Sequence, residues 1–213
     1  MKTIKYPDKK DWKELLKRPT IDSSLMEKSV RDILRDVKEN GDEALRKYSL
    51  AFDRADLKSF EVSETEIIES EKKISISLKQ AIKIAYNNIL KFHTSQKQAE
   101  ERVETMPGVL CWRKSIPIQK AGLYIPGGNA PLFSTVLMLG IPAKLAGCKE
   151  IVLCTPPDKS GNVNPAILFS ANLCGITKIY KVGGAQAIAA MAYGTKTIPK
   201  ANNPPNIVPK ILL

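Results

Sequence analysis

Residues 178–193 have the sequence KIYKVGGAQAIAAMAY, and this stretch decides the fold class. Its first five residues, 178–182, predict a short strand. Gly183 and Gly184 then predict a tight loop, because glycine adopts backbone conformations that other residues avoid. Residues 184–193 carry no charged side chain and predict a helix that is buried on most sides. A strand, a glycine loop and a buried helix in succession are typical of a parallel α/β sheet.

The same pattern occurs twice more, immediately upstream. The predicted elements are a strand at 122–125, a loop at 126–131, a helix at 133–145, a strand at 150–155 and a helix at 164–174. Asn164 is the expected N-cap of the last helix and Pro165 its first residue. Strands that alternate with helices form parallel sheets with right-handed crossovers. The sequence therefore predicts an α/β fold in which an N-terminal helical region is followed by an incomplete Rossmann-like parallel βαβαβα sheet.

Charge density changes sharply near residue 120. Of the chain's 33 basic and 22 acidic residues, only eight lysines and two acidic residues lie after this point. We therefore predict a mainly helical region with a short extended segment at 1–120. A Rossmann-like half-domain with glycine-rich loops is predicted at 121–200, and an atypical tail at 201–213.

Apolar residues recur with helical spacing through much of the first region. One such helix should end at Asn40, with Gly41 tolerating the left-handed conformation that follows. A short strand is predicted at 59–63, and Ser63 or Thr65 should cap the helix after it. These helices are interpreted as scaffold or dimer contacts. The clearest apolar face consists of Leu78, Ala81, Ile82, Ala85, Ile89 and Leu90.

Composition argues against several classes of protein. The longest apolar stretches are shorter than the ~20 residues of a membrane helix, and the first ten residues lack the apolar segment of a secretory signal. We therefore expect a cytoplasmic protein without membrane contact. The net charge of +11 is spread out rather than clustered, so we expect no nucleic-acid partner. The four cysteines are expected to be reduced and mostly buried, and a nucleophilic cysteine would need the chain's one histidine, His93, as its base.

Two glycine-rich loops directly follow predicted strands, at 126–131 and 183–186. Ligands of open parallel sheets bind at the carboxyl ends of the strands, where glycine lets the backbone approach them and a helix N-terminus attracts anions. Both loops suit a nucleotide or another anion, although two tight turns without a ligand would look the same. Neither loop has the G-x-G-x-x-G or P-loop pattern. Tyr124 could contact a ligand or only pack, and Gln186 could hold a ligand or cap its helix.

At these residues the sequence resembles the histidinol dehydrogenase family. The resemblance extends from about residue 25 to residue 200, and its segments keep the family's order and spacing. The segments that carry it are GLYIPGGNAPLFSTVLM at 122–138, IPAKLAGC at 141–148, VLCTPP at 152–157, KVGGAQAIAAMAYGT at 181–195, FHTSQ at 92–96 and MPG at 106–108.

The resemblance implies an NAD-dependent oxidation of L-histidinol, through L-histidinaldehyde, to L-histidine in histidine biosynthesis. It implies a zinc-dependent homodimer, with L-histidinol as the small-molecule substrate. Tyr124 and Gln186 match family positions that contact NAD. His93 matches a family position in a helix away from the chemistry, so it is interpreted as structural.

Residues 201–213, ANNPPNIVPKILL, depart from the family, which continues there into a strand and a Gly-Pro-Gly-Asn segment. The resemblance places the family's acid/base pair and its zinc ligands beyond residue 213, so we expect no catalytic residue and no metal ligand in this chain. One histidine and four scattered cysteines also make a poor zinc site. We therefore expect a truncated chain that is inactive by itself. The alternative is a non-catalytic NAD-binding or scaffold remnant of the same fold.

Overall fold

The computed structural model describes residues 4–18, 24–127 and 131–201, and within these ranges it shows a mixed α/β fold. The strands are β1 (Arg102–Met106), β2 (Val109–Trp112), β3 (Lys120–Tyr124), β4 (Glu150–Thr155) and β5 (Lys178–Lys181). The helices are α1 (Trp12–Leu15), α2 (Ser24–Asn40), α3 (Asp42–Tyr48), α4 (Glu64–Ser70), α5 (Ile76–Thr94), α6 (Phe133–Leu145), α7 (Pro165–Leu173) and α8 (Gly184–Tyr193).

Three parallel strands in the order β3-β4-β5 form the central sheet of the described residues. Tyr124 pairs with Cys154, and Thr155 pairs with Lys181, so the carboxyl ends of the strands meet at one edge. The helix α6 connects the first two strands, and α7 connects the second and third. The predicted α/β class with a parallel βαβαβα sheet is therefore confirmed.

Side chains alternate between the two faces of the sheet, and each face has its own apolar core. Leu123, Leu153 and Ile179 belong to the core that contains α6 and α7. Val152 and Tyr180 belong to the core that contains α8. The buried face of each strand thus fixes which helices lie above the sheet and which lie below it.

The N-terminal helices pack on the helices that cover the two faces of the sheet. The helix α5 packs on α6 and α4 packs on α7, while α2 and α3 pack on α8. Elements from before and after residue 120 therefore share the two cores, and a domain boundary at that residue remains a prediction. Among the described residues no helix is both long and apolar enough to span a bilayer. The expectations for residues 202–213 and for 128–130 fall outside the described residues.

The strand predicted at 59–63 forms only a bridge. Glu61 lies opposite Tyr180 in antiparallel orientation, Val62 N–H donates to the Ile179 carbonyl at 2.9 Å, and Lys181 N–H donates to the Phe60 carbonyl at 2.7 Å. Pairing stops there because Ser63 begins α4, where its hydroxyl accepts the Glu66 N–H at 3.2 Å in a capping box. The prediction of Ser63 as a cap is confirmed, and the prediction of a separate strand is wrong.

The hairpin of β1 and β2 was predicted only in part. A short extended segment was expected within residues 1–120, whereas the structure has two paired strands there, the first of which begins at Arg102. Gly108 has a φ of +84° in the turn between the strands, a conformation that favours glycine. The alternation in residues 102–106 before Pro107-Gly108 was the available signal for this hairpin.

One carboxylate ties α2 to α3. Asp36 accepts hydrogen bonds from Lys47 Nζ at 2.7 Å, Asn40 Nδ2 at 2.7 Å and Tyr48 Oη at 2.8 Å. These donors, Lys47 above all, lower the pKa of Asp36 from 3.8 to about 2. The charged form is therefore stabilised in the folded chain relative to the unfolded one.

We expect this contribution to stability to be present above a pH of about 4 and to disappear as pH falls towards 2. Urea unfolding followed by circular dichroism between pH 6 and pH 2.5 would measure it. The Asp36→Asn variant should be less stable than the wild type at pH 6 and should approach it at low pH. Asp32→Asn, on an exposed carboxylate of the same helix, is the matched control. Parallel pH curves for wild type and Asp36→Asn would contradict the prediction.

Candidate functional site

The candidate site lies at the carboxyl edge of the β3-β4-β5 sheet, where ligands of parallel sheets bind. Tyr124 is the last residue of β3, Gly183 is the N-cap of α8, and Gly184 is the first residue of that helix. Because parallel strands end at the same edge, residues some 60 positions apart in the chain meet here. Of the two residues predicted from the sequence, Gln186 lies in the first turn of α8 and Tyr124 reaches the start of that helix through its hydroxyl.

The Tyr124 hydroxyl contacts the helix terminus directly. It accepts a hydrogen bond from the Gly184 N–H at 2.9 Å, while Gly184 itself has a φ of +60°. Burial raises the pKa of Tyr124, the bond from Gly184 opposes this rise, and the charge of Asp53 adds to it. The phenol therefore stays neutral at physiological pH and keeps its own hydrogen for donation to a ligand.

The Gln186 side chain is almost fully buried, with 1% of its surface exposed. Neither Nε2 nor Oε1 has a hydrogen-bond partner among the described residues. The amide lies against Gly184, since a Cβ atom placed on that glycine would be 2.6 Å from Oε1. Burying an amide without partners costs free energy, so both polar atoms of Gln186 remain available for hydrogen bonds with a polar group placed beside them.

Pro156 separates the two glycine-rich loops. A Cβ atom on Gly127 would lie 2.5 Å from Cγ of Pro156, and one on Gly183 would lie 2.6 Å from its Cβ. Glycine is therefore required at both positions for close packing rather than for unusual backbone angles. The proline ring, which directly follows β4, fixes the spacing between the two loops.

The N-terminus of α8 adds a favourable electric field. The first turn of a helix has N–H groups without intrahelical acceptors and a partial positive charge. No acidic side chain lies in the first turn of α8. An anionic group such as a phosphate would be stabilised at this terminus.

The other residues considered from the sequence lie elsewhere. His93 Nδ1 is 2.7 Å from Oε1 of Gln96, near the end of α5. Cys154 and Cys174 are buried, which raises the pKa of both thiols, whereas Cys111 is exposed. Across the described ranges no group of three or more His, Cys, Asp or Glu side chains could hold a metal. The described part of the chain therefore does not fit a zinc site.

Sequence reasoning missed a polar turn beside the site. The residues after α3 form a π-helical turn, Ser49–Asp53, in a region that was interpreted as scaffold. Oγ of Ser49 and Oδ2 of Asp53 are buried and have no hydrogen-bond partner among the described residues. No periodicity in the sequence signals such a turn, because the sheet that buries it comes from residues far along the chain.

A family model described as histidinol dehydrogenase matches residues 16–203. The histidinol dehydrogenase of Bacteroides fragilis is 58% identical over 200 residues, or 94% of this chain and 47% of that relative. The enzyme of the same name from Escherichia coli K12 is 50% identical over 191 residues, or 89% of this chain and 43% of that relative.

A crystal structure of histidinol dehydrogenase from Elizabethkingia anophelis matches the fold with a TM-score of 0.87 at 54% identity. The match covers 92% of this chain and 45% of that one. The chain thus spans about half the length of the curated relatives it matches.

Proposed function

The chain belongs to the histidinol dehydrogenase family, and from this premise we propose that it forms the NAD-binding part of an enzyme that oxidises L-histidinol to L-histidine. The proposed reaction passes through L-histidinaldehyde and consumes two NAD+. NAD, when bound, supplies the hydride acceptor for each oxidation. We also propose a cytoplasmic homodimer, as the family resemblance implies.

The chain's own contribution is to bind and orient the nucleotide. The N–H groups at the start of α8 would hold an anionic group, the Tyr124 hydroxyl would donate a hydrogen bond, and the Gln186 amide would both donate and accept. The observation that carries the proposal is the buried and unpartnered amide of Gln186 beside the Tyr124–Gly184 hydrogen bond. A polar ligand at this place would satisfy groups that the protein leaves unsatisfied.

The family is generally zinc-binding, but the described residues offer no zinc site, so no zinc ligand is proposed in this chain. The position of the family's acid/base pair and zinc ligands beyond residue 213 stays a prediction. The second candidate is a non-catalytic NAD-binding or scaffold protein. Neither candidate predicts oxidation of L-histidinol by this chain alone, so titration with NAD+ separates only the scaffold protein, which would not bind the nucleotide.

We expect Tyr124→Phe to weaken NAD+ binding about 5- to 20-fold, because the variant loses both the acceptor for the Gly184 N–H and a donor to the ligand. Isothermal titration of the full chain with NAD+ would measure the dissociation constants. Tyr193→Phe makes the same change at the opposite end of α8 and should bind as the wild type does. Equal affinities for wild type and Tyr124→Phe, or no NAD+ binding by the wild type, would overturn the proposal.

A further inference from the structure

Asp53 occupies an unusual backbone position. It is the last residue of the π-helical turn Ser49–Asp53, and Arg54 after it has a φ of +56°. The Ala55 N–H closes the turn by donating to the Ser49 carbonyl at 3.3 Å. Residues other than glycine adopt positive φ at a cost, and π-helical turns occur frequently at functional sites. The turn therefore holds the Asp53 carboxylate in a defined place.

The environment of this carboxylate is incomplete. Oδ2 is buried and has no hydrogen-bond partner, the side chain as a whole is only partly buried, and no ion pair reaches Asp53 within the described ranges. Burial raises the pKa of Asp53. A carboxylate is stable in such surroundings only when donors compensate for its lost hydration. Its backbone neighbours do not supply these donors.

Asp53 belongs to the same site as Tyr124. Ala55, two residues after Asp53, is buried in the same apolar cluster against which Tyr124 packs, so the turn and the end of β3 border one core. The charge of Asp53 is close enough to raise the pKa of Tyr124, yet no hydrogen bond joins the two side chains. A ligand group that donates to Asp53 would thus also lie near the Tyr124 hydroxyl and the start of α8.

We propose that Asp53 is a third ligand-binding residue of this site and accepts a hydrogen bond from a ribose hydroxyl of the bound nucleotide. The inference rests on the proposed NAD site and adds a residue to it. A carboxylate accepts but does not donate hydrogen bonds, so its partner must be a donor, and it repels phosphate. The hydroxyls of ribose are the donors of a dinucleotide that acidic residues bind in other parallel sheets. If the adenosine ribose is the partner, Asp53 also disfavours the additional phosphate of NADP+.

The test compares dissociation constants of NAD+ and NADP+ for the wild-type chain, Asp53→Asn and Asp56→Asn, measured by isothermal titration. Asp56 is an exposed aspartate three residues further on and serves as the matched control. We expect Asp53→Asn to weaken NAD+ binding about tenfold, and Asp56→Asn to leave it within about twofold. Thermal unfolding should show Asp53→Asn at least as stable as the wild type, because the variant no longer buries a charge.

The two nucleotides distinguish the two riboses. A smaller preference for NAD+ over NADP+ in Asp53→Asn identifies the adenosine ribose, whereas an unchanged preference with weaker NAD+ binding identifies the nicotinamide ribose. Unchanged NAD+ affinity in Asp53→Asn overturns the inference. If the wild type binds NAD+ and Tyr124→Phe weakens it while Asp53→Asn does not, only the role of Asp53 fails. If the wild type does not bind NAD+, both the role of Asp53 and the proposed function fail.

Discussion

Replacing Gln186 with leucine is expected to raise the free energy of unfolding by about 1–2 kcal/mol and to weaken NAD+ binding at least about tenfold. Leucine has a similar volume and no polar atoms, so it removes a buried amide whose Nε2 and Oε1 have no partners. The same amide is the group that a nucleotide would satisfy. Stability and binding should therefore change in opposite directions, as is common where a protein keeps an unfavourable group for function.

Urea unfolding would give the stability change of Gln186→Leu, and titration with NAD+ would give its affinity. Gln80→Leu, at an exposed position of α5, is the matched control and should change the free energy of unfolding by less than about 0.5 kcal/mol. A loss of stability in Gln186→Leu would mean that the amide is satisfied within the protein. In that case its burial would no longer support a ligand at the start of α8.

Adding a single methyl group at Gly183 is expected to destabilise the chain by about 1–3 kcal/mol. The new Cβ atom would lie 2.6 Å from Cβ and 3.3 Å from Cα of Pro156, and neither the ring nor the backbone of a proline moves easily. The φ of Gly183 is −103°, a value that alanine adopts freely, so the cost comes from contact with Pro156 rather than from the backbone. Thermal or urea unfolding of Gly183→Ala would measure it.

A double-mutant cycle with Pro156→Gly assigns this cost to one contact. If the methyl group and the proline ring compete for the same space, Gly183→Ala should cost less in the Pro156→Gly background, with a coupling energy of at least about 1 kcal/mol. Additive effects would show that the glycine is needed for another reason. NAD+ titration of the same variants would show whether the spacing between the two loops matters for binding.

The order of strands and helices could be predicted from the sequence because local signals mark where the helices begin and end. Asn164 and Pro165 start α7 as expected, since an N-cap side chain and a first-turn proline act on the next few residues only. Gly41, at a φ of +53°, likewise follows the end of α2. In contrast, the bridge at Glu61 depends on β5, more than a hundred residues away, and no local pattern could distinguish it from a strand.

The candidate site could be predicted only in part. Tyr124 and Gln186 were identified through the family resemblance, and the glycine loops through the rule for parallel sheets. Their meeting at Gly184 follows from the register of β3, β4 and β5, which the sequence does not give. Asp53 was missed because it lies in a turn without regular periodicity, and the burial of that turn depends on tertiary packing.

Residues 60–62 pair in antiparallel orientation with the outer side of β5, so the two edges of the sheet differ. Within residues 4–18, 24–127 and 131–201 no strand pairs with the outer side of β3, whereas the outer side of β5 is covered. A strand that joined the sheet at β3 would reverse the order in which strands are added. Such a reversal opens a crevice at the carboxyl end of the strand where it occurs, known as a topological switch point. In this chain that strand ends at Tyr124.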